Sequence, residues 1–416
     1  MDFELGGYRG SERGVRVVTH LVSLTQAAGV EVHFSELVRH ARSSYPDVEH
    51  GWLNAAREMH AFVADRVEGE LAHVIYAKRL FGLPLPAKPA ALRVWHCRRA
   101  LEAAGTDVLV IWNRTARAKF ALDAIGERRC VHWEHGAAWD GGREAERSDY
   151  LKRVPRAIAN SKAAARVLTL KWNYRGDVHV CRNALRPSMV PPEPQAKRFP
   201  RERVKLGAAA RLYPVKGLAL VLHAVAALRA PRALDVELHV AGAGPELPRL
   251  RALAGTLGIA ERVTFHGAVN DMRAFYADID CLVHVPITEA FGLVAIEAAA
   301  HGCPVLAADV DGLREALADG AAGALLEPTL PLKRYVELGG ALDGLPPHVY
   351  DPSADALREP RAVDPELLAA KVAELFADAR GFEMRSAAAS ARALAQPSFA
   401  AHVRDVMAVI DGVGRA

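Results

Sequence analysis

From residue 204 onward, short β-rich runs alternate with stretches of helical periodicity, and this pattern constrains the fold more than any other feature of the chain. KLGAAAR (205–211), VELHVAG (236–242), VTFHG (263–267), CLVHV (281–285) and PVLAA (304–308) read as strands. Between them, residues 216–230, 247–257, 272–277 and 293–300 carry apolar side chains at helical spacing. Strand–helix–strand repetition of this kind closes right-handed and builds a parallel sheet. The runs show little polar alternation, as expected of strands covered on both faces. The second half is therefore expected to be an α/β, Rossmann-like domain.

The first half is less regular. GVEVHF (29–34), DVLVIW (107–112), CVHWEHG (130–136), AIANSK (157–162) and DVHVCRNAL (177–185) are the comparable pieces, separated by helical segments such as residues 14–28. Only residues 1–5 precede the Gly6-Gly7 pair, so the buried strand that should open such a domain is very short, or the start is late. Clustered prolines and charges at 185–204 mark a linker. They divide the chain into an N-terminal domain at 1–190 and a C-terminal domain at 200–385. The periodic run 399–410 suits a helix of either domain, with 399–416 as a possible addition to the first. The proline-rich stretch 327–363 reads as an insertion.

Composition narrows the function classes. A chain of 416 residues that is 51% hydrophobic can bury two cores. No run approaches the roughly 18 to 20 apolar residues that span a bilayer, and residues 1–10 lack the basic start and apolar run of a secretory signal, so a cytoplasmic protein is expected. Five cysteines, odd in number and widely spaced, suit reduced structural thiols better than a disulfide frame or zinc site. A formal charge of +4 falls short of a nucleic-acid footprint.

The densest chemical signal is PITEAFGLVAIEAAAHGCPV (286–305). It places Glu289 in a loop after a strand, Phe291-Gly292 at a turn, and Glu297 on the helix that follows. A helix start presents unpaired N–H groups and a partial positive charge, so the amides of Phe291, Gly292 and Leu293 form a ready anion site. Carboxylates eight positions apart can accept hydrogen bonds from sugar hydroxyls on either side of a diphosphate. Taken alone, each is equally at home as a solvated helix residue.

This segment resembles the E-x(7)-E motif of retaining GT-B glycosyltransferases, family 4 of that classification, and the likeness runs in matching order from Lys205 to about Pro328. The resemblance implies two Rossmann-like domains facing across a cleft. It implies that Glu289 contacts the donor sugar, Glu297 holds the ribose hydroxyls, and the amides after Phe291-Gly292 bind phosphate. AARLYPVKG (209–217) supplies Arg211 and Lys216, which in such enzymes neutralise the donor diphosphate. VAGAGPE (240–246) fits the glycine turn after the second strand. A dinucleotide fingerprint fails there, since Leu247 stands where the third glycine is required. HGAVNDM (266–272) fits the loop beside the nucleobase, with the backbones of Ala268 and Val269 as contacts; it does not separate uridine from guanosine.

The first half matches more thinly. Gly6-Gly7 resembles the glycine loop after the opening strand, which would set Gly7 against the donor. VHWEHG (131–136) resembles the strand end that carries a histidine at the reaction centre, here His135. His132 alternates onto the other strand face and reads as a core histidine; Glu134 either orients His135 or is exposed. Asn160, Ser161 and Asn183 suit caps and turns. Two triplets, Asp278-Ile279-Asp280 and Asp309-Val310-Asp311, could suggest a metal. Arg211, Lys216 and the helix start already supply positive charge, so no metal and no cofactor is expected beyond the nucleotide-sugar co-substrate. Asp311-Gly312 departs from the two glycines common in the family.

The expectation is thus a retaining, metal-independent hexosyltransferase-type enzyme. It would move sugar from a UDP- or GDP-linked donor to a glycan or lipid-linked acceptor, as in bacterial surface-polysaccharide biosynthesis. Nucleic acid is not an expected partner. A GT-B sugar-nucleotide epimerase and a non-catalytic nucleotide-sugar-binding subunit are the alternatives. Basic and aromatic residues mixed through 77–103 suit peripheral contact with anionic lipid.

Overall fold

The computed structural model describes residues 15–413 except 27–28, 55–58, 81–82, 87–88, 114–117, 201, 229–233, 319 and 321–322. Two parallel sheets dominate. The first has seven strands in the order His73–Tyr76, Val48–Asn54, Arg16–Leu21, Val108–Trp112, Cys130–Glu134, Arg156–Ala159, Asp177–Val180. The second has six, in the order Val263–Gly267, Val236–Ala241, Val204–Ala209, Cys281–His284, Val305–Ala308, Gly323–Leu326. Within each sheet the strands run third, second, first, fourth, then onward, which is the doubly wound Rossmann order. The expected α/β class with two such domains is what the chain adopts.

Every strand proposed for the second half forms. In the first half two readings are reversed. GVEVHF alternates over only a few residues, and the longer pattern is helical: Phe34, Leu37, Val38 and Ala41 share the buried side of helix Gly29–Ser44. Conversely, residues 14–28, expected to be helical, contain the strand Arg16–Leu21, whose Val17 to Leu21 are buried without a break. β-branched Val17, Val18 and Thr19 favour the pleated conformation, and cover on both faces erases the polar alternation that would have marked it. Among the described residues the first strand, Arg16–Leu21, follows the Gly6-Gly7 pair. Gly7 itself lies outside the described residues.

The segments joining the two halves are ordered by specific contacts. Along the linker, the backbone N–H groups of Gln195 and Lys197 donate to Ser390 (2.9 Å) and Ser386 (2.6 Å) of helix Ala379–Leu394. The C-terminal helix Phe399–Asp411 crosses back onto the first sheet, where Phe399, Val403 and Val406 join Val18 and Phe34 in one core. Arg16 closes its far end, donating to the carbonyls of Ile410 (2.9 Å) and Asp411 (2.9 Å), where a cation complements the helix dipole. Residues 327–363 form a short helix, Leu332–Glu337, and a hairpin of Val349–Asp351 with Ala356–Arg358. Tyr350 and Leu357 of that hairpin pack into the first domain's core. All five cysteines are buried and unpaired.

Candidate active site

Open α/β sheets bind ligands beyond the carboxyl ends of their strands, where the strand order reverses. In the second domain that point lies between the first strand, leading to Arg211 and Lys216, and the fourth, leading to Glu289. In the first domain it lies between strand Arg16–Leu21 and strand Val108–Trp112, with His135 one strand further on. The two crevices face each other and merge into one interdomain cavity of about 1250 Å³. His135, Arg211, Lys216, Ala268, Val269, Glu289, Phe291, Gly292, Leu293 and Glu297 all line it. Except for Gly7, the structure thus brings every sequence-derived site residue to one place.

The second-domain wall is built by two loops fastened to each other. The N–H of Ile287 donates to the Val215 carbonyl (2.8 Å), and Gly217, at φ +67°, lies so close to the Val285 carbonyl that a Cβ there would come within 2.2 Å. Lys216 and Glu289 are consequently held face to face, Nζ to Oε2 at 2.7 Å, with their side chains 16% and 19% exposed. His284 Nε2 lies 3.3 Å from the same oxygen. Burial alone would raise the Glu289 carboxyl, but the Lys216 ammonium and the His284 ring prevail and hold it well below the usual carboxylate range. Arg211 is exposed at the cavity edge, stacked over Tyr213 with 5.4 Å from guanidinium carbon to ring centre, and has no carboxylate partner among the described residues.

Helix Leu293–Ala300 begins at Gly292, whose φ is +99°, and its start, with amides that have no partner within the helix, lines the cavity. One turn on, Glu297 is 1% exposed. Its Oε1 accepts from Arg186 Nε (2.9 Å) and its Oε2 from the Tyr276 hydroxyl (3.2 Å). Arg186 comes from the end of the first domain, so the carboxylate assigned to ribose is already held by a guanidinium across the domain junction. Sequence reasoning missed Arg186, Tyr276 and His284. Nothing in their spacing marks them, because the fold brings them in from 111, 21 and 5 positions away.

On the opposite wall His135 stacks on Trp112, ring centres 4.8 Å apart and planes 2° from parallel. Its backbone N–H donates to Asn113 Oδ1 (2.7 Å), while its ring Nε2 is buried with no partner among the described residues. Burial, and then the nearby His402 and His132, depress its pKa well below the usual value, so the ring is neutral at physiological pH and presents an unpaired nitrogen. Glu134 neither orients His135 nor faces solvent. It is fully buried, bonds His132 Nε2 at 3.2 Å, and accepts the N–H groups of Gly136 (2.6 Å) and Ala138 (3.0 Å) that shape the loop after His135. His132 is the expected core histidine. Ser161 caps helix Lys162–Trp172, as its residue type suggested, whereas Asn160 and Asn183 line the cavity.

The aspartate triplets are engaged by protein groups. Asp278 pairs with Lys205 (2.7 Å), and Asp280 accepts the Lys205 N–H (2.8 Å). Asp309 pairs with Arg314, and Asp311 accepts four hydrogen bonds described below. Among the described residues, no group of three or more His, Cys, Asp or Glu side chains is arranged to hold a metal ion.

Known proteins resemble this chain in sequence over part of its length and in fold over nearly all of it. Residues 190–337 match the family described as glycosyl transferases group 1. A D-inositol 3-phosphate glycosyltransferase of Arthrobacter sp. (strain FB24) is 32% identical over 191 residues, covering 41% of this chain and 44% of that protein. One from Stackebrandtia nassauensis is 41% identical over 138 residues, 31% of each chain. The chain thus spans less than half the length of these curated relatives. In architecture it is similar to a glycosyltransferase from Rickettsia africae ESF-5, with a TM-score of 0.71 at 14% identity, covering 96% of this chain and 99% of that one. It is also similar to Anabaena HepE solved with UDP and glucose, with a TM-score of 0.69 at 18% identity, covering 95% and 99%. The chain has the GT-B fold, and residues 190–337, within its second domain, match the glycosyl transferases group 1 family.

Proposed function

We propose that this chain is a retaining glycosyltransferase that takes a hexosyl group from a UDP- or GDP-linked donor and passes it to a hydroxyl of a glycan or lipid-linked acceptor. The observation that carries the reading is the convergence of Arg211, Lys216 and the start of helix Leu293–Ala300 on one cavity that also contains Glu289 and Glu297. Three sources of positive charge lining one cavity suit a diphosphate, and carboxylates in the same cavity suit the hydroxyls on either side of it. As the bond to the anomeric carbon breaks, negative charge grows on the leaving diphosphate, and Arg211 and Lys216 stabilise it more in the transition state than in the ground state. With that charge supplied by the protein, the reaction needs no metal. Lys216 turns from Glu289 toward phosphate, freeing Glu289 to accept the sugar hydroxyls. The acceptor hydroxyl enters from the side the diphosphate leaves, and its proton passes to a phosphate oxygen. The neutral His135, facing this centre from the first domain, orients the sugar or acceptor through its unpaired Nε2.

We place the reaction in the cytoplasm and, by analogy with glycan- and lipid-modifying GT-B enzymes, in bacterial surface-polysaccharide assembly. No helix among the described residues is long and apolar enough to cross a membrane. Leu83 (72% exposed) and Trp95 (53%), close in sequence to the exposed Arg79 and Arg99, support peripheral contact with anionic lipid.

The test is to incubate the protein with UDP- and GDP-sugars across a panel of glycan and lipid-linked acceptors and to read the product by NMR. Expected is transfer with the donor's anomeric configuration kept, abolished by Lys216→Ala. Inversion of configuration, or an active Lys216→Ala protein, contradicts the proposal. Conversion of the donor alone into a new sugar nucleotide would make it an epimerase, and tight donor binding without turnover a binding subunit.

A further inference from the structure

Asp311 keeps a glycine-like backbone φ of +49°. A non-glycine residue in that region is strained, so its side chain must supply something to offset the strain. The carboxylate is 1% exposed and both of its oxygens are doubly occupied. Oδ1 accepts from the Trp139 indole N–H (2.8 Å) and the Tyr350 backbone N–H (2.7 Å). Oδ2 accepts from the Thr288 hydroxyl (2.5 Å) and the Glu289 backbone N–H (3.0 Å). Four donors around one buried side chain suit only an acceptor-only group, which a carboxylate is and an amide is not.

The partners come from three separate places. Thr288 and Glu289 belong to the second-domain loop that faces Lys216. Trp139 closes the short turn Ala137–Trp139 that follows His135 in the first domain. Tyr350 belongs to the hairpin that leaves the second domain and packs on the first. The turn itself is stiff: Lys171 Nζ donates to the carbonyls of Ala138 (3.1 Å), Trp139 (2.7 Å) and Asp140 (3.0 Å), and Arg147 to that of Ala137 (2.5 Å). A tie to Trp139 therefore reaches His135 through a rigid turn, and a tie to the Glu289 N–H fixes the residue assigned to the donor sugar.

We propose that Asp311 is a positioning residue that locks the Glu289 loop of the second domain to the His135 turn of the first, so that both walls of the cavity hold one register. Its catalytic consequence rests on the transferase reading; its structural content does not. Asp311 does not line the cavity, and it touches the site only through the loop that carries Glu289 and the turn that follows His135. Losing it should then lower turnover and leave nucleotide affinity in place.

The experiment uses the full chain labelled with 5-fluorotryptophan, in wild-type, Asp311→Asn, Asp311→Gly and Trp139→Phe forms. Asp311→Gly relieves the backbone strain and so keeps a folded protein even where the amide variant does not fold. The ¹⁹F resonance missing from Trp139→Phe identifies Trp139, and it is expected to shift in Asp311→Gly while the other tryptophan signals stay. Release of nucleoside diphosphate from a sugar nucleotide is expected to fall at least tenfold in Asp311→Gly and Trp139→Phe, with UDP affinity by calorimetry within threefold of wild type. An unmoved Trp139 resonance, or wild-type turnover in Asp311→Gly, overturns the proposal. A wild-type protein that binds neither UDP nor GDP refutes the donor reading instead, and the ¹⁹F comparison still decides whether the tie exists.

Discussion

Removing Lys216 while keeping Glu289 perturbs the proposed centre most cleanly. The pair meets at 2.7 Å with both side chains under one-fifth exposed, so Lys216→Met leaves a carboxylate in a poorly solvated pocket with only the His284 ring beside it, 3.3 Å away. Breaking a buried ion pair by deleting one partner costs about 3–5 kcal/mol; partial exposure and the remaining imidazole put this case nearer 2–3 kcal/mol. For domains of this size each kcal/mol lowers the melting temperature by roughly 2–4 °C, so a drop of about 5–10 °C is expected at pH 7. Lys216→Met/Glu289→Gln removes both charges and should recover most of that loss, to within about 1 kcal/mol of wild type. The sign with pH follows. The folded-state pKa of Glu289 is depressed, so its contribution is present above the unfolded value of about 4.3 and fades as pH falls through the folded one. The gap between wild type and Lys216→Met should therefore narrow below about pH 4. Calorimetric melting of the four forms of the cycle at several pH values measures all of this. A Lys216→Met protein melting within a degree of wild type, or a double variant as unstable as the two singles summed, would refute the reasoning.

Three further outcomes are expected. Arg186→Ala removes the guanidinium 2.9 Å from the buried Glu297; it should destabilise by about 3 kcal/mol in chemical denaturation, with Glu297→Gln in the same background restoring most of it. Burial pushes the Asp311 carboxyl up to about 6, above its unfolded value of about 3.9, so this group favours the folded state at low pH and that contribution is lost as pH rises through 6. Asp311→Gly should accordingly flatten the stability profile between about pH 4 and pH 6, read by thermal melting across that window. Sedimentation with liposomes containing anionic lipid should pull down wild type and spare a Leu83→Ser/Trp95→Ser variant; equal binding to neutral vesicles would remove the membrane role.

Much of the second domain was legible because its signals are local. The strands from Val204–Ala209 to Val305–Ala308 are short runs, largely apolar in the three inner strands and alternating in Val236–Ala241 and Val263–Gly267, and Glu289, Phe291, Gly292 and Glu297 lie close together on one strand–loop–helix unit. The first domain hid its opening strand. Arg16–Leu21 is buried on both faces, so its sequence carries no alternation, and the helix after it begins with a few alternating residues that imitate a strand. Within the site, residues defined by contact order were invisible. Arg186 meets Glu297 across 111 positions and Trp139 meets Asp311 across 172. The departure at Asp311 was visible, but its meaning depended on the indole brought to it from the other domain. Glu134 shows the same limit: a carboxylate beside a candidate histidine looked like its partner, and alternation sends it instead to the buried face with His132.

Isothermal titration of the protein with UDP and UMP, and with GDP and GMP, in wild-type, Arg211→Ala and Lys216→Ala forms addresses the diphosphate site most directly. One diphosphate should bind at least tenfold more tightly than its monophosphate, and either substitution should erase most of that preference while leaving the monophosphate nearly unaffected. Equal affinity for mono- and diphosphate, or a diphosphate preference that survives both substitutions, would contradict a site in which these two cations and the helix start share one pyrophosphate.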